Sequence, residues 1–390
     1  MPTLLTRLAR AAGYVPAVKA APLSGPSLAL YGDARAVWTA RDGTALAREG
    51  YQRNAVVHRA VRLVAEGAAS IPLVVTGAEA ADHPIAALLA RPNPREGGTR
   101  LLETLYGHLM VSGNAYLEAV SLDGIPRALF ALRPDRMRVV PGPDGWPAGY
   151  VYEVGGRRVA YDEAGAVPPI LHLALFHPTD DHYGLSPMEA AAISLDIHNA
   201  AGAWNKALLD NAARPSGALV FAGAGASLSE AQFVRLKAEL KANYQGAGNA
   251  GRPLLLEGGL DWKPLALSPK EMDFVEAKAA AAREIALAFG VPPLLLGLPG
   301  DNTHANYAEA NRAFYRQTLV PLARRTAEAL AHWLAPAFGD VRLEPDLDAI
   351  EALASERESL WRRVQAADFL TPAEKRAAVG YPPEAPEPGA

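Results

Sequence analysis

Three histidines and two aspartates lie close together in the sequence, and their side chains could bind a metal ion. They are His172, His177, Asp180, Asp181 and His182. Clustered imidazoles and carboxylates are the groups that hold divalent metals. However, no two of them form the i, i+4 pair of an H-E-x-x-H helix, and the first falls in a predicted strand. The spacing therefore favours a solvated loop. A metal-dependent hydrolase using His177, Asp181 and His182 remains the alternative.

A second candidate for chemistry is the glycine-rich segment from Gly223 to Ser227, which precedes a predicted helix. It lacks the G-x-x-x-x-G-K-[ST] pattern and the third glycine of a dinucleotide-binding loop, so a turn before a capped helix is the better interpretation. The chain has no G-x-S-x-G elbow, and the absence of cysteine excludes thiol nucleophiles and thiolate metal sites. The sequence therefore predicts no enzyme, no cofactor and no metal. Any energy-driven role would need a motor from another protein.

Composition bounds the possible classes further. The chain has 390 residues, of which 50% are hydrophobic and 21% charged, and its net charge is −4. This length predicts two or more lobes, and the acidic balance disfavours a surface that grips DNA tightly. No apolar run is long enough to span a bilayer, so no membrane is expected as a partner. Residues 1–50, rich in Ala, Gly, Pro and Ser, predict a flexible arm.

The segment after this arm predicts an α+β lobe. A helix is expected from Asn54 to Ala69, with Val57, Val61, Val64 and Ala68 on its buried face. A strand follows, and then a helix from Thr99, which is expected to be its cap. Glycine turns such as Asp123-Gly124 and Gly155-Gly156 separate the strands that follow. These strands are expected at 115–120, 127–132, 137–140, 149–154 and 170–176.

Two later helices begin with the same Ser-Pro-x-Glu signal, at Ser186 and at Ser268. The first helix carries one apolar stripe and many small residues elsewhere, which lets it approach neighbours on more than one side. The stripe consists of Ile193, Ile197, Ala200, Trp204 and Leu208. The second helix ends at Gly290, because Pro292 and Pro293 cannot continue it. Residues 217–267 between the two helices predict a small α/β insert with an amphipathic helix from Ser229.

A loop from Val291 to Ala305 comes next, and it contains no lysine or arginine. The long helix that follows contains Pro321, which removes one backbone donor and predicts a kink near Gln317–Pro321. The C-terminal part predicts a strand at 341–343, a helix from Asp346 to Ala367 and a short helix capped by Thr371. The ending PPEAPEPGA is typical of a disordered tail.

Several of these segments resemble, in order, the tailed-bacteriophage portal (head–tail connector) family, including the portals of phage-like gene transfer particles. The segments are NAVVHRAVRLVAEGAASIPLVV, HPIAALLARPNP, LMVSGNAYLEAV, HYGLSPMEAA, NAGRPLLLEGG, FVEAKAAAAREIALAFGVPPLLLG and NTHANYAEANRAFYRQTLVPL. Each string alone is a weak signal, and their common order makes the resemblance specific. It covers roughly residues 54–334.

The resemblance implies a portal-type α+β subunit with a wing, a two-helix stem, a small clip, a channel loop, a long kinked helix and a short helical crown. The implied segments are the arm 1–50, wing 51–185, first stem helix 186–212, clip 213–267, second stem helix 268–290, channel loop 291–305, kinked helix 306–340 and C-terminal crown region 341–390. Such subunits would form a ring, expected to have twelve copies, at one vertex of the head of a virion or phage-like particle. Assembly would take place in the host cytoplasm.

The implied partners are the major capsid protein, the packaging terminase, the head–tail adaptor and double-stranded DNA, which would pass through the ring without sequence specificity. The residues expected to line the constriction are Asp301, Asn302, Thr303, His304 and Asn306. The residues expected to meet terminase or adaptor on the clip are Arg235, Lys237, Lys241, Tyr244 and Trp262, for which an ordinary solvated helix face is the other interpretation. A monomeric scaffold or adaptor protein is the remaining alternative, since it would have the same helices without a closed ring.

Overall fold

The computed structural model describes residues 38–76, 83–163, 165–210, 217–221, 230–231, 234–235, 237–239, 260–264, 274–299 and 304–381. Its α-helices are α1 (Gly43–Leu46), α2 (Ala55–Ala69), α3 (Pro84–Ala90), α4 (Gly98–Ser112), α5 (Pro187–Ala190), α6 (Ala192–Asp210), α7 (Phe274–Ala288), α8 (His304–Phe314), α9 (Val320–Phe338), α10 (Ala354–Gln365) and α11 (Pro372–Ala378). Its strands are β1 (Leu73–Thr76), β2 (Asn114–Leu122), β3 (Ile125–Leu132), β4 (Met137–Pro141), β5 (Pro147–Val154), β6 (Arg157–Asp162), β7 (Ile170–Ala174), β8 (Gly217–Phe221), β9 (Leu260–Pro264) and β10 (Arg342–Pro345).

The core forms around α2 and α4. The helix predicted from Asn54 to Ala69 is present, and the side chain of Asn54 caps it by accepting hydrogen bonds from the backbone of Val56 and Val57. All four residues of the predicted α2 face are buried. The prediction that Thr99 caps α4 was wrong, because Gly97 occupies the N-cap position and forms no side-chain hydrogen bond there. The arm predicted to reach residue 50 also ends earlier, since α1 and a π-helical turn occupy Gly43–Gln52 and bury Leu46.

The strands of the first lobe form two antiparallel three-stranded sheets, in the orders β3-β2-β7 and β4-β5-β6. The predicted hairpin turns are confirmed, because Asp123, Gly124, Gly155 and Gly156 all have positive φ angles. The strand β6 was missed. It is an edge strand whose first four residues are exposed on both faces, so it lacks the alternation that marks a half-buried strand.

The two helices expected after Ser186 and before Gly290 are present in the described residues. The Ser186 hydroxyl accepts from the Glu189 backbone as predicted, but the helix is interrupted at Ala191 and so divides into α5 and α6. The start expected at Ser268 lies outside the described residues. The end of α7 is confirmed, since Gly290 has a φ of 62° and is followed by the two prolines. In the insert between α6 and α7, β8 pairs antiparallel with β9.

The C-terminal residues return to the first lobe. The strand β10 pairs antiparallel with β1, so that Leu343 lies opposite Val75. The helix predicted from Asp346 starts only at Ala354, because Asp346 accepts a turn bond from the backbone of Asp348 instead. Thr371 and Glu374 form the predicted capping box of α11. The α+β class is confirmed, and none of the helices in the described part of the chain is long and apolar enough to cross a membrane.

Candidate functional site

The described part of the predicted channel loop packs against the core at its beginning. Val291 is buried, and a 3₁₀ turn over Pro293–Leu296 places Leu295 and Leu296, half-buried, against the same core. Gly297 ends this turn in the left-handed region with a φ of 72°, where glycine is favoured. The first half of the loop is therefore anchored by apolar contacts.

Two hydrogen bonds fix the ends of this anchored segment. Arg283 on α7 donates from Nη2 to the Pro299 carbonyl at 2.7 Å. Thr318 donates from Oγ1 to the Gly290 carbonyl, also at 2.7 Å. A Cβ on Gly290 would lie 2.9 Å from Thr318 Oγ1, so the close approach requires glycine. Sequence reasoning missed both bonds, because nothing in the local pattern marks Arg283 or Thr318 as loop contacts.

The predicted constriction residues Asp301, Asn302 and Thr303 lie outside the described residues. The backbone of His304 begins α8, and Asn306 is exposed in its first turn. The structure thus places His304 and Asn306 at the start of the long helix, and their role in the channel stays a prediction.

The long helix changes its hydrogen-bond ladder where the kink is predicted. Between α8 and α9 the chain is π-helical over Tyr315–Leu319, and Pro321 follows in the first turn of α9. A π-helical turn accommodates the bond that proline cannot donate, and such turns accompany helix bends. Thr318, which holds the loop at Gly290, lies within this π segment. The bend itself stays a prediction.

The helices α6 and α7 pack against each other through small and polar residues. Ser194 on α6 donates a hydrogen bond to Glu284 on α7, while Ala281 and Ala282 are buried. Burial, and to a smaller degree the Lys278 ammonium, lower the pKa of His198 on the facing side of α6. Lys278 therefore lies near α6 and Arg283 reaches the loop, which the sequence could not decide.

The first three residues of the apolar stripe of α6 lie on the side opposite the core, and Trp204 is half-buried. Ile193 and Ile197 are 58% and 40% exposed, and Ala200 is also exposed. The buried side of α6 is formed by Ala192, Leu195 and Ala201. Two large apolar residues of α7, Val275 and Leu287, are 75% and 78% exposed. The single subunit thus leaves apolar residues of both helices uncovered.

Comparisons with known proteins identify this arrangement. Residues 55–380 match the family described as phage portal protein. The chain belongs to the phage portal protein family. The portal-type fold is also shared with solved structures. Chains in the necks of the empty and the native gene transfer agent (GTA) particle, computed with C6 and C12 symmetry, are 57% and 56% identical to it. They have TM-scores of 0.69 and 0.68, and each comparison covers 90% of this chain and 96% of the other.

A relative from a bacterial genome extends the similarity. A protein of Rickettsia bellii is 41% identical to this portal protein over 341 residues, which cover 86% of this chain and 88% of the relative. The family match and the structural similarity support the role of a capsid portal, and they give no support to a hydrolase or a monomeric scaffold.

In this portal protein, three of the clustered residues, His172, His177 and Asp180, have separate local partners. His172 stacks on Tyr116 with ring centroids 4.3 Å apart and contacts Asn114 Oδ1 through Nε2 at 3.0 Å. Asp180 accepts from the backbone of His182 and Tyr183 and so holds a turn. His177 accepts from the Thr179 backbone. Among the described residues, no three His, Asp or Glu side chains are grouped to hold a metal.

We expect His172 to make the stability of the portal subunit pH-dependent. Burial lowers its pKa to about 4, and burial lowers the pKa of His108 to about 4 as well. An unfolded histidine takes up a proton near pH 6.5, which the folded state cannot do until pH 4, so stability falls as the pH drops through this window. Between pH 7 and pH 5, each of the two histidines should therefore lower the free energy of unfolding by about 2 kcal/mol.

Urea denaturation of the wild type and of His172→Gln at pH 7 and pH 5 tests this expectation. The variant should lose part of the difference in unfolding free energy between the two pH values. An unchanged difference would contradict the role assigned to His172.

The structure describes only part of the predicted clip contacts. Arg235 is exposed and pairs with Glu239 at 3.3 Å. Lys237 is exposed on the same helical stretch. The backbone of Trp262 lies in β9 opposite Leu219. Lys241 and Tyr244 lie outside the described residues, so the clip surface stays a prediction.

Proposed function

We propose that this protein forms the ring-shaped portal of a GTA-like or phage particle, through which DNA enters and leaves the head. The observation that carries this proposal is the match to the neck of the GTA particle, at 57% identity over 90% of the chain. The C12 symmetry of the native neck supports a ring of twelve subunits. The mass of the purified chain, measured by mass photometry, tests it: a ring of about twelve copies is expected, and a monomer at every concentration, with or without capsid protein, would contradict it.

The proposed division of the subunit follows its contacts. The two three-stranded sheets with α2 and α4 form the wing, α6 and α7 the stem, the β8–β9 region the clip, and residues 291–303 the channel loop. The C-terminal residues would form a small crown that is attached to the wing through the β1–β10 pair. The terminase and the head–tail adaptor would bind the clip, and the capsid protein would meet the wing.

The channel loop would keep friction on DNA low. Duplex DNA carries one negative charge per ~1.7 Å, and each basic contact adds a salt-sensitive grip. The loop contains Asp301, Asn302 and Thr303 but no lysine or arginine, so its contacts with passing phosphates would be weak and easily replaced.

Adding positive charge to the loop tests this idea. In particles carrying Asn302→Lys and Thr303→Lys, we expect slower packaging and slower DNA release. If the added lysine–phosphate contacts raise the barrier to each step of DNA movement by ~1.4 kcal/mol, both rates should fall about tenfold. The matched control is Asn302→Gln and Thr303→Gln, which adds length without charge. Unchanged packaging and release in the lysine variant would remove the support for this role.

The clip would contact its partners through its basic helix. Arg235 and Lys237 are exposed, and charged residues at such a surface steer association. We expect Lys237→Glu with Lys241→Glu to reduce terminase or adaptor binding about tenfold, as measured by pull-down with assembled rings. Arg91→Glu, which changes an exposed wing residue, is the control. Normal packaging together with normal tail attachment in the double variant would show that the helix face is merely solvated.

A further inference from the structure

A chain of side-chain hydrogen bonds joins the start of α2 to α6. Asn54 Oδ1 accepts from two backbone N–H groups in the first turn of α2. Asn54 Nδ2 lies 2.9 Å from Asn199 Oδ1 and 3.0 Å from His198 Nδ1. Asn199 Nδ2 in turn donates to the Glu49 carbonyl at 3.0 Å. Asn54 is only 2% exposed, so losing one of these bonds would leave a buried polar group unpaired.

The partners at the two ends of this chain fix every donor and acceptor in it. A backbone N–H can only donate, so the atom of Asn54 that faces α2 must be the oxygen. A carbonyl can only accept, so the atom of Asn199 that faces Glu49 must be the amide nitrogen. Asn54 therefore turns both of its amide N–H groups toward α6. His198 Nδ1 must accept one of them, which it does only in the neutral form that carries its proton on Nε2.

The charged groups around His198 oppose its protonation. Burial, and to a smaller degree the ammonium of Lys278 on α7, lower its pKa below the ordinary value. Acids on α7, on the segment before α2 and on α6 itself already have partners. These pairs are Glu284 with Ser194, Glu49 with Arg53, and Asp196 with Arg41. No ion pair joins His198 to an acid in the described part of the chain.

Proton uptake by His198 would break this arrangement. The protonated ring carries an N–H on Nδ1, which would meet the N–H groups of Asn54, and two donors cannot bond. Turning the Asn54 amide over would offer its oxygen to His198, but α2 would then lose its cap. The contact is therefore complete above the ordinary histidine pKa of about 6.5. It is lost as the pH falls through the lowered pKa of His198.

We propose that Asn54 and His198 form a proton-sensitive latch between the start of α2 and α6, which opens when His198 takes up a proton. The hydrogen bonds from Thr39 to Asp196 still hold α6, so opening the latch loosens this helix without unfolding the subunit. Because Ser194 joins α6 to α7, the latch fixes both helices on the lobe that contains α2. This inference does not depend on the proposed function, since it concerns contacts within one subunit.

Hydrogen exchange of the full-length protein, followed by mass spectrometry at pH 7.5 and pH 5, tests the latch. Each rate is divided by that of the unstructured peptide at the same pH. It is then compared with the rate in the middle of α9, whose buried residues exchange only when the core opens. We expect the corrected exchange in the first turn of α2 to rise about tenfold at pH 5, within the roughly 30-fold that a released histidine with an ordinary pKa allows.

A histidine variant and a matched control separate the latch from a general effect of pH. In His198→Asn the new Oδ1 can accept from Asn54 but takes up no proton in this range, so the rise should be less than about twofold. The control is His58→Asn. His58 Nδ1 lies 3.1 Å from the Tyr51 carbonyl, which can only accept, so protonation keeps that bond. The tenfold rise should therefore persist in the control.

Replacing Asn54 by aspartate should reverse the direction of the effect. The carboxylate of Asn54→Asp can still cap α2 and offers its second oxygen to protonated His198. The first turn of α2 should then exchange more slowly at pH 5 than at pH 7.5. The proposal would be overturned by the absence of a rise in the wild type, by an equal rise in His198→Asn or Asn54→Asp, or by loss of the rise in His58→Asn.

Discussion

Replacing Ile193 and Ile197 by aspartate is expected to prevent ring assembly while leaving the subunit folded. Both side chains are exposed in the single subunit, on the side of α6 that faces away from the core. We expect this side to pack against a neighbouring subunit in the ring, because exposed apolar residues that lie together mark interaction surfaces. Fully burying one exposed isoleucine contributes about 1.5–3 kcal/mol. Ile193 and Ile197 are 58% and 40% exposed, so burying what remains of both contributes about 1.5–3 kcal/mol per interface. Aspartate would lose this energy and also place a carboxylate in an apolar contact.

Mass photometry and far-UV circular dichroism measure the two parts of this result. The association constant per interface should fall at least about 100-fold, since ~1.4 kcal/mol corresponds to a factor of ten. Leu122→Asp is the control, because Leu122 is 63% exposed at a hairpin end far from α6 in the sequence. Rings of normal mass from the double variant would show that this stripe lies outside the interface. Loss of helicity would show that the stripe supports the subunit instead.

Gly184→Ala should be among the most destabilising single substitutions in the chain. A Cβ at Gly184 would lie 2.2 Å from the Gly113 carbonyl oxygen and 2.5 Å from the Leu175 backbone nitrogen. These neighbours are backbone atoms, which cannot turn aside as a side chain can. The Gly113 carbonyl also accepts from Leu175 at 2.8 Å, and Asn114 Oδ1 accepts from the Gly184 backbone at 2.8 Å. The substitution would therefore break the contact that joins β7 and α4 to the start of α5.

We expect a loss of about 3 kcal/mol in unfolding free energy, at the upper end of what overpacking costs. The measurement is urea denaturation of the isolated subunit or of the ring at fixed concentration. Gly107→Ala is the matched control within α4, because its Cβ would meet nothing within 4 Å. Replacing this helical glycine by alanine should leave the free energy of unfolding unchanged or raise it slightly, because alanine has the higher helix propensity. A Gly184→Ala protein as stable as wild type would contradict the packing of this junction.

Local signals in the sequence were sufficient for most of the secondary structure. The helix start near Asn54, the Ser186 start, the Gly290 end and the capped start at Thr371 each depend on residues within a few positions, so the residue types alone predict them. Predictions of secondary structure failed where the local pattern was weak, or where the same residues could also form another local structure. The edge strand β6 lacks alternation, and Asp346 forms a turn where the charge pattern suggested a helix.

The sequence by itself determined the helix and strand types, the acidic balance and the family, because these depend on local propensity and on the order of segments. Only the tertiary structure decided which way the side chains of α6 and α7 face, and how Arg283 and Thr318 hold the loop. Contacts such as that between Arg316 and Glu356 join residues 40 positions apart. No local pattern encodes such a pairing, because it follows from how the packed core orients whole helices.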